Sequence, residues 1–394
     1  MDDAIAAAHG PHVLVLGSFP PQAQGISGYC GALVEALGQE IPVEALGFSA
    51  MYPALLFPGH GGVMDPTAAK PTAPLLNLRH GLAWYNPLGW LWHAWRSRAG
   101  VFHIQWWSLP LFPVCLTFAT LARWRNIPVV VTVHNVHPHE KSAAFLWASR
   151  VLYGQADHLI VHSETNRSQL LESYPVDPAR VSHVPMGVAG LQTAAMEKGE
   201  ACGALDIDQE RSVLLFFGTI RPYKGLEVLL RALALVRDKH PEVLLVVAGA
   251  LWEPWEPYAT LIDQLQLEGN VSLHLEYIPE CEVAGFFGAA DLVVLPYTHF
   301  DAQSAVGVQA LSYGKPLLVT ETGGLPDLVS HDARWCVPAR SSAALAEGIL
   351  AFMEDPEASR IQFEVMRSAA AAATSWEAAA TEHIKIYQHV LDIP

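Results

Sequence analysis

The feature that most constrains the fold is an alternation of short apolar runs with helical patterns. Four runs in the first half have strand length and end in small or polar residues: HVLVLGSFP (12–20), VFHIQWW (101–107), IPVVVTVHNV (127–136) and ADHLIVHS (156–163). Runs that are apolar at nearly every position indicate parallel strands covered on both faces. Between them, apolar residues recur at helical spacing, as in residues 28–40. Strands that alternate with helices predict a doubly wound α/β sheet.

The second half of the chain repeats this scheme. Its apolar runs are RSVLLFFG (211–218), PEVLLVVAG (241–249), NVSLHLEYI (270–278), ADLVVLPY (290–297) and KPLLVTETGG (315–324). Residues 184–206 between the halves are small, polar and poorly periodic, which is typical of an inter-domain linker. We therefore expect two Rossmann-like domains whose loops, at the carboxyl ends of both sheets, face a central cleft.

Charge and cysteine content narrow the class of protein. The formal net charge of -16 is concentrated in residues 191–394, which carry 13 Lys+Arg and 28 Asp+Glu, against 10 and 11 in residues 1–190. A nucleic-acid binder needs a basic face, so nucleic acid is not the expected partner. The five cysteines are scattered without metal-site spacing, and we interpret them as reduced, mostly buried thiols. The acidic N-terminus lacks a targeting pattern, so we expect a cytoplasmic protein.

The stretch FFGTIRPYKGLEVLLRALALV (216–236) places two cations beside a helix start. A helix N-terminus offers unpaired N–H groups and a partial positive charge, to which Arg221 and Lys224 add charge-assisted hydrogen bonds. We expect residues 213–217 to form a strand that ends at Gly218, with a diphosphate bound by the loop that follows. The alternative is that both cations are solvated loop charges.

Several segments, in order along the chain, resemble glycosyltransferase family 4, whose members are retaining enzymes of the two-domain GT-B fold that use nucleotide-activated sugars. The stretch GTIRPYKGLEVLLRAL resembles the phosphate-binding signature of the family. The other matching segments are the glycine loop PPQAQGISGYCGALVEAL (20–37), YIPECEVAGFFGAADLVVLPY (277–297), ALSYGKPLLVTETGGLPDLV (310–329) and TSWEAAA (374–380). The last resembles the start of a final helix that returns to the first domain. The expected domains are 1–190 for the acceptor and 191–375 for the nucleotide sugar, with this helix at 376–394.

The resemblance also implies a set of site residues. The family usually carries two glutamates, eight positions apart, that contact the donor sugar and the nucleotide ribose, and this chain has Asp301 and Gln309 there. A branch of the family with Gln-Ser ahead of the following helix matches Gln303 and Ser304. The implied donor-binding residues are Gly25, Gly218, Arg221, Lys224, Gln303, Ser304 and Gln309. The implied catalytic residues are His134, Arg221, Lys224 and Asp301.

The implied reaction moves a hexose from a nucleoside-diphosphate sugar to a hydroxyl of a glycan or lipid-linked glycan, as in polysaccharide biosynthesis. Because two cations can stabilise the departing diphosphate, no cofactor or metal is expected. Two other functions stay open at this point: a GT-B sugar-nucleotide epimerase, and a catalytically silent sugar-nucleotide-binding subunit, which Asp301 and Gln309 would suit. An NAD enzyme is disfavoured because GSFPPQAQGISG (17–28) lacks the GxGxxG spacing.

The segment HNVHPHE (134–140) directly follows a predicted strand and contains His134, His137, His139 and Glu140. Its spacing matches neither HExxH nor a helical pair, and no cysteine lies nearby, which disfavours zinc. His134 matches the position of the family histidine that faces the donor sugar. We therefore favour an active-site role for His134 over a structural one, and leave His137 and His139 undecided.

Residues 84–124 hold seven of the twelve tryptophans, and Arg96, Arg98, Arg123 and Arg125 lie among or directly beside them. The apolar run 109–122 is too short and too proline-broken to span a bilayer. Tryptophan with arginine beside an apolar surface suits peripheral contact with an anionic membrane, here its cytoplasmic face. The alternative is ordinary core packing of two helices, which would explain most of these tryptophans one by one.

Overall fold

The computed structural model describes residues 10–22, 25–52, 64–137, 142–188, 196–300, 303–373 and 375–392. The chain divides into two compact units. Unit 1 comprises Met1–Gly187 and Thr374–Pro394, and unit 2 comprises Val188–Ala373.

Unit 1 contains a fully parallel sheet. Its strands are β1 (Val13–Leu16), β2 (Val43–Ala50), β3 (Leu76–Ala83), β4 (Val101–Trp106), β5 (Val129–Val133), β6 (His158–Val161) and β7 (Val181–His183). They are hydrogen-bonded in the order β3-β2-β1-β4-β5-β6-β7. The predicted strands β1, β4, β5 and β6 are confirmed and form the buried centre, where β1 pairs with β4 and β4 with β5 in parallel register.

The sequence patterns did not predict strands β2, β3 and β7 of this sheet. Edge strand β3 alternates half-buried and exposed residues over most of its length, and β7 is only three residues long. Neither forms an apolar run, because an edge strand is covered on fewer sides than a central one.

Helices connect these strands. They are α1 (Gly25–Glu40), α2 (Pro87–Arg96), α3 (Phe112–Trp124), α4 (Ala143–Tyr153) and α5 (Glu164–Ser173). The last two begin where a serine side chain accepts a hydrogen bond from a backbone N–H of the first turn: Ser142 from Phe145 at 3.2 Å and Ser163 from Asn166 at 3.0 Å. Such caps satisfy donors that the helix itself leaves unpaired.

Unit 2 contains a second parallel sheet. Its strands are β8 (Val213–Phe217), β9 (Leu244–Ala248), β10 (Val271–His274), β11 (Leu292–Leu295), β12 (Leu317–Thr320) and β13 (Cys336–Val337). They follow the order β10-β9-β8-β11-β12-β13. All five strands predicted for this half are confirmed, and only the two-residue β13 was missed.

The helices of unit 2 are α6 (Lys198–Ala204), α7 (Leu226–Arg237), α8 (Glu256–Gln264), α9 (Glu280–Ala289), α10 (Ala305–Ser312), α11 (Leu325–Leu328), α12 (Ser342–Glu354) and α13 (Pro356–Ala373). The predicted buried face of α7 is confirmed: Leu226, Leu229, Leu230, Leu233 and Val236 are fully buried.

The linker prediction for 184–206 is wrong for part of that segment. Helix α6 forms inside it and packs against α9. At its start, Lys198 Nζ lies 2.7 Å from the buried carboxylate of Asp291. The ion pair and the burial of Ala201 and Cys202 stabilise a helix whose small residues show no clear period. Residues 189–195 lie outside the described residues.

The last helix, α14 (Trp376–Asp392), belongs to unit 1, where it packs against α1. Tyr387 is fully buried there. At the start of α14, the Trp376 ring occupies the space that a Cβ on Gly187 would take.

Candidate functional site

The predicted phosphate loop of unit 2 lies where the strand order reverses. Strand β8 lies between β9 and β11, and ligands of doubly wound sheets bind at such switch points, outside the carboxyl ends of the strands. The loops after β8 and β11 are joined, because the backbone N–H of Thr298 donates to the carbonyl of Tyr223 at 2.7 Å. The segment with Arg221 and Lys224 is therefore held at the position expected for a ligand.

Two glycines shape this loop. Gly218 has φ +91° and Gly225 has φ +74°, values that residues with a Cβ rarely adopt. A Cβ on Gly225 would overlap the carbonyl oxygen of Pro296, and one on Gly218 would lie 2.9 Å from Lys224 Nζ and 3.1 Å from Val306 Cγ2. Gly218 thus lets the ammonium group of Lys224 and the first turn of α10 approach the same point.

Lys224 is a buried cation, with 5% of its surface exposed. Burial, with a smaller contribution from the nearby charge of Arg221, lowers its pKa to about 7. Its Nζ lies 5.7 Å from the ring centroid of Tyr297, and within the described part of the chain it forms no ion pair with a carboxylate. A buried ammonium group is costly unless a negative group accompanies it, so this position is suited to binding an anion.

The second predicted cation, Arg221, is held by an aromatic ring. Its Cζ lies 4.0 Å from the ring centroid of Trp252, in the loop after β9. A cation over an indole face is stabilised by the ring quadrupole. The sequence analysis missed Trp252, because residues 31 positions apart meet only through the pairing of β8 with β9.

Ser304 caps helix α10. Its Oγ accepts a hydrogen bond from the N–H of Gly307 at 3.3 Å and lies 3.3 Å from the hydroxyl of Tyr297. Ser304 is buried and Gln303 is half-buried. The first turn of α10 therefore begins directly after the predicted Gln-Ser pair, beside Gly218.

Not all predicted catalytic and donor-binding residues can be placed here. Asp301 lies outside the described residues. Gln309 lies in α10 and is half-buried.

After β12, in the glycine-rich segment, the buried hydroxyl of Thr322 has no hydrogen-bond partner in the described ranges. Sequence reasoning did not single out Thr322, although its place after a central strand was a usable signal.

In unit 1, the predicted His134 directly follows β5 and is 6% exposed. Its Nε2 lies 2.8 Å from Oε1 of Gln105 on β4, and the edge of its ring meets Tyr29 with centroids 4.9 Å apart. Burial, and then the neighbouring His162, hold the pKa of His134 well below its usual value. At neutral pH it is an uncharged hydrogen-bonding group.

His134 belongs to a buried cluster of four histidines with His103, His162 and His383. Burial holds the pKa of His103 well below its usual value and lowers those of His162 and His383 to about 4. The Nε2 atoms of His162 and His383 lack hydrogen-bond partners among the described residues. The sequence analysis missed these three histidines, although each interrupts an apolar run or face.

The other polar residues of HNVHPHE do not join this cluster in the described structure. His137 is half-buried, and its Nε2 lies 3.2 Å from the hydroxyl of Ser173. His139 and Glu140 lie outside the described residues.

The N-terminal glycine loop contains a buried polar network. The Ser18 hydroxyl donates to Gln22 Oε1 at 2.7 Å and contacts the hydroxyl of Ser27, and Gln22 Nε2 donates to the carbonyl of Phe48. The predicted Gly25 begins α1 and is exposed, with open space where a Cβ would be. A larger side chain would therefore meet no steric obstacle at position 25 in this structure.

The tryptophan-rich stretch is divided between core and surface. Trp90 and Trp106 are buried, whereas four tryptophans are 38–70% exposed: Trp84, Trp92, Trp95 and Trp124. Core packing is therefore the wrong interpretation for these four. With the exposed Tyr85 and Leu88 they form what we call the aromatic surface. No described helix is both long and apolar enough to cross a bilayer.

Two family models match the chain in sequence order. The model "Glycosyltransferase Family 4" matches residues 25–189, and "Glycosyl transferases group 1" matches residues 198–367. Together they cover most of both units, including the predicted Gly218 loop and His134.

Curated relatives and solved structures agree with these matches. The D-inositol 3-phosphate glycosyltransferase of Pseudarthrobacter chlorophenolicus is 26% identical over 94% of this chain and 91% of its own length. That of Segniliparus rotundus is 30% identical, but the match covers 45% of this chain and only 40% of the relative.

Among solved structures, Anabaena Alr3699/HepE in complex with UDP and glucose aligns with a TM-score of 0.74 at 15% identity, over 96% of this chain and 100% of that one. At this identity the likeness shows the fold, which is GT-B. The chain belongs to glycosyltransferase family 4 and is a glycosyltransferase of the GT-B fold.

Proposed function

We propose that this protein is a retaining glycosyltransferase that moves a hexose from a nucleoside-diphosphate sugar to a hydroxyl of a glycan or lipid-linked glycan. The observation that carries the donor assignment is Lys224, a buried ammonium group with no carboxylate partner among the described residues. It lies beside Gly218 and the first turn of α10. A diphosphate there would receive the charge of Lys224 and the unpaired N–H groups of the helix.

The two cations would act on the departing group. Breaking the bond between sugar and diphosphate leaves negative charge on the phosphate, and preorganised donors lower the barrier by stabilising that charge. Arg221, held over Trp252, and Lys224 would supply this stabilisation, so the proposed reaction uses no metal. Gln309 would bond the ribose, and Asp301 the donor sugar.

His134 would hydrogen-bond the donor sugar as a neutral ring. Because burial disfavours its protonated form, it is suited to orienting a hydroxyl rather than to supplying positive charge. The acceptor proton can then leave with the diphosphate oxygen.

Donor and stereochemistry can be tested together. A thermal-shift screen of UDP-, GDP- and ADP-sugars should show one nucleotide that raises the unfolding temperature, because a ligand stabilises the state it binds. Proton NMR of the transfer product should then show the anomeric configuration of the donor. An inverted product would refute the retaining mechanism, and rapid isomerisation of the donor without acceptor would favour the epimerase.

Acceptor assays need two arms. The names of the curated relatives specify D-inositol 3-phosphate, and this compound is the soluble arm. A lipid-linked glycan is the other, which we favour because of the aromatic surface. Transfer to D-inositol 3-phosphate alone would overturn the glycan acceptor.

We also propose that the aromatic surface contacts an anionic membrane. Next to Trp92 and Trp95, a cavity of 560 Å³ is lined by Arg79, Arg96 and Arg98. Indole rings favour the membrane interface, and each arginine near an anionic surface contributes about 1 kcal/mol, which salt weakens. Arginine and tryptophan side by side therefore suit lipid headgroups better than a neutral partner.

Vesicle sedimentation tests this contact. The protein should bind phosphatidylglycerol vesicles at low salt and ignore phosphatidylcholine vesicles, and the variant Trp92→Ser/Trp95→Ser/Trp124→Ser should lose binding. Trp147, 60% exposed but outside the aromatic surface, provides the control Trp147→Ser. Equal binding by both variants, or none by the wild type, would rule the contact out.

A further inference from the structure

A buried chain of hydrogen-bonding groups connects the last helix of the protein with His134. The hydroxyl of Tyr387 on α14 lies 2.7 Å from Nδ1 of His103, Nε2 of His103 lies 3.1 Å from Nε2 of Gln105, and Oε1 of Gln105 lies 2.8 Å from Nε2 of His134. Gln105 is 1% exposed, and His103 and Tyr387 are fully buried. Solvent therefore offers these groups no easy substitute partners.

The orientation of the Gln105 amide determines which groups donate and which accept in this series of hydrogen bonds. Gln105 directs its oxygen toward His134, so the neutral His134 ring donates from Nε2. Its NH2 group faces Nε2 of His103, which also lies 2.7 Å from the hydroxyl of Thr132. A His103 ring that accepts at Nε2 then donates from Nδ1 to Tyr387. A glutamine amide has one accepting and one donating end, so the tautomers of the two rings are coupled.

The backbone leaves little freedom for Gln105. A Cβ on Gly17, at the end of β1, would lie 3.1 Å from Cγ of Gln105. Glycine at this position makes room for the amide side chain between β1 and β4. Packing thus confines the aliphatic part of the Gln105 side chain, and hydrogen bonds hold both the oxygen and the nitrogen of its amide group.

We propose that Gln105 is a positioning residue that fixes the ring orientation and the tautomer of His134, leaving Nδ1 of His134 as its hydrogen-bond acceptor. Through His103 and Tyr387, the packing of α14 supports the same orientation. The inference rests on the proposed function in one respect, namely that His134 acts on the donor sugar. A ring fixed in this way can accept a hydrogen bond from a sugar hydroxyl without reorganising, which is the advantage of a preorganised site.

NMR of the ring nitrogens in 15N-histidine-labelled protein tests the positioning without any ligand. His134, identified by its loss in His134→Asn, should show a single tautomer protonated at Nε2 in the wild type and a mixture in Gln105→Leu. The matched control is Ser182→Ala, which removes a hydrogen bond of 2.9 Å to His158 on the same sheet. Unchanged His134 signals in Gln105→Leu, or an Nδ1-protonated wild-type ring, would overturn the proposal.

Kinetics with UDP-glucose test whether the orientation matters for turnover. Gln105→Leu should reduce kcat tenfold or more with KM within twofold of the wild type. The double variant Gln105→Leu/His134→Asn should lose no more than His134→Asn alone, because residues that act through one another are not additive. Additive losses would show that Gln105 acts elsewhere.

Gln105→Glu keeps an acceptor for His134 but adds a charge. A carboxylate next to a histidine favours the protonated ring, so the acid limb of the kcat profile should move to higher pH, and an unmoved limb would contradict the contact. If the wild type turns over no nucleotide sugar at all, the proposed function fails, and the NMR result alone still decides whether Gln105 positions His134.

Discussion

Burial lowers the pKa of basic side chains in both units, but the charge state that results at neutral pH differs between them. In unit 2 it lowers the pKa of Lys224 to about 7, so this side chain can be charged or neutral near physiological pH. In unit 1 it lowers the pKa of His162 and His383 to about 4 and keeps the whole histidine cluster neutral. Lys224 of unit 2 can therefore gain a charge when an anion arrives, whereas the histidine cluster of unit 1 offers only neutral hydrogen bonds.

The reason lies in the reference pKa of each side chain. A lysine begins near 10.4 and a histidine near 6.5, so a similar desolvation penalty leaves the lysine near neutrality and carries the histidine out of the physiological range. Under the proposed function, Lys224 of unit 2 would stabilise charge and His134 of unit 1 would orient a hydroxyl. Four experiments test this division of roles between the two units.

The largest effect is expected at Lys224. Lys224→Met should cost roughly 2–4 kcal/mol of transition-state stabilisation, about 30- to 1000-fold in kcat/KM, because a preorganised charge is lost. Its unfolding temperature should hold or rise, since methionine removes a buried charge. Lys239 is an exposed lysine just beyond the C-terminal end of α7, and Lys239→Met is the control. Wild-type turnover by Lys224→Met would remove the charge-bearing role from unit 2.

The pH dependence of UDP binding tests the same side chain without turnover. Above pH 7 the free protein holds Lys224 mostly neutral, so binding an anion requires proton uptake. The Kd for UDP should rise about tenfold per pH unit above 7 until the pKa of the complex is reached. Calorimetry in buffers of different ionisation enthalpy should detect the proton. A flat profile between pH 7 and 9 would mean that Lys224 does not contact the nucleotide.

The histidine cluster should make unit 1 sensitive to acid. Its folded-state pKa values lie below the unfolded value, so stabilisation is complete above about pH 6.5 and is lost as the pH falls toward 4. Each fully buried histidine should cost roughly 1.4 kcal/mol per pH unit in that window. Urea unfolding at pH 7 and pH 5 should show the loss, and His383→Leu should reduce it. The exposed His331 supplies the control His331→Leu, and equal pH dependence in both variants would contradict the neutral cluster.

The smallest effect concerns the ribose. Gln309→Ala should weaken UDP binding by roughly 0.5–1.5 kcal/mol, the net contribution of one neutral hydrogen bond, and Gln309→Glu should bind as well as the wild type or better. Isothermal titration of the three proteins measures this. A ribose that points away from Gln309 in a UDP complex would exclude the contact.

Local sequence determined much of the fold and one part of the site. Buried strands such as β5 and β8 form apolar runs, so their length and ends can be predicted without knowing which strands pair with them. The spacing of Leu229 and Leu233 is enough to predict the buried face of α7. The Arg221–Lys224 pair stands beside a glycine at a helix start, so the sequence alone is enough to predict an anion-binding role for it. The exposed edge strand β3 and helix α6 were not, because each is stabilised by neighbours remote in the chain.

Tertiary structure alone decided which side chains meet. Trp252 reaches Arg221 only because β9 pairs with β8, and Gln105 and His103 reach His134 only because β4 pairs with β5. Desolvation is also a tertiary property: the sequence names Lys224 and His162 as titratable, but only the surrounding core lowers their pKa values. Hydrophobic periodicity depends only on the order of residues along the chain. Long-range hydrogen bonds and burial depend on distances between residues that are set only when the sheets form.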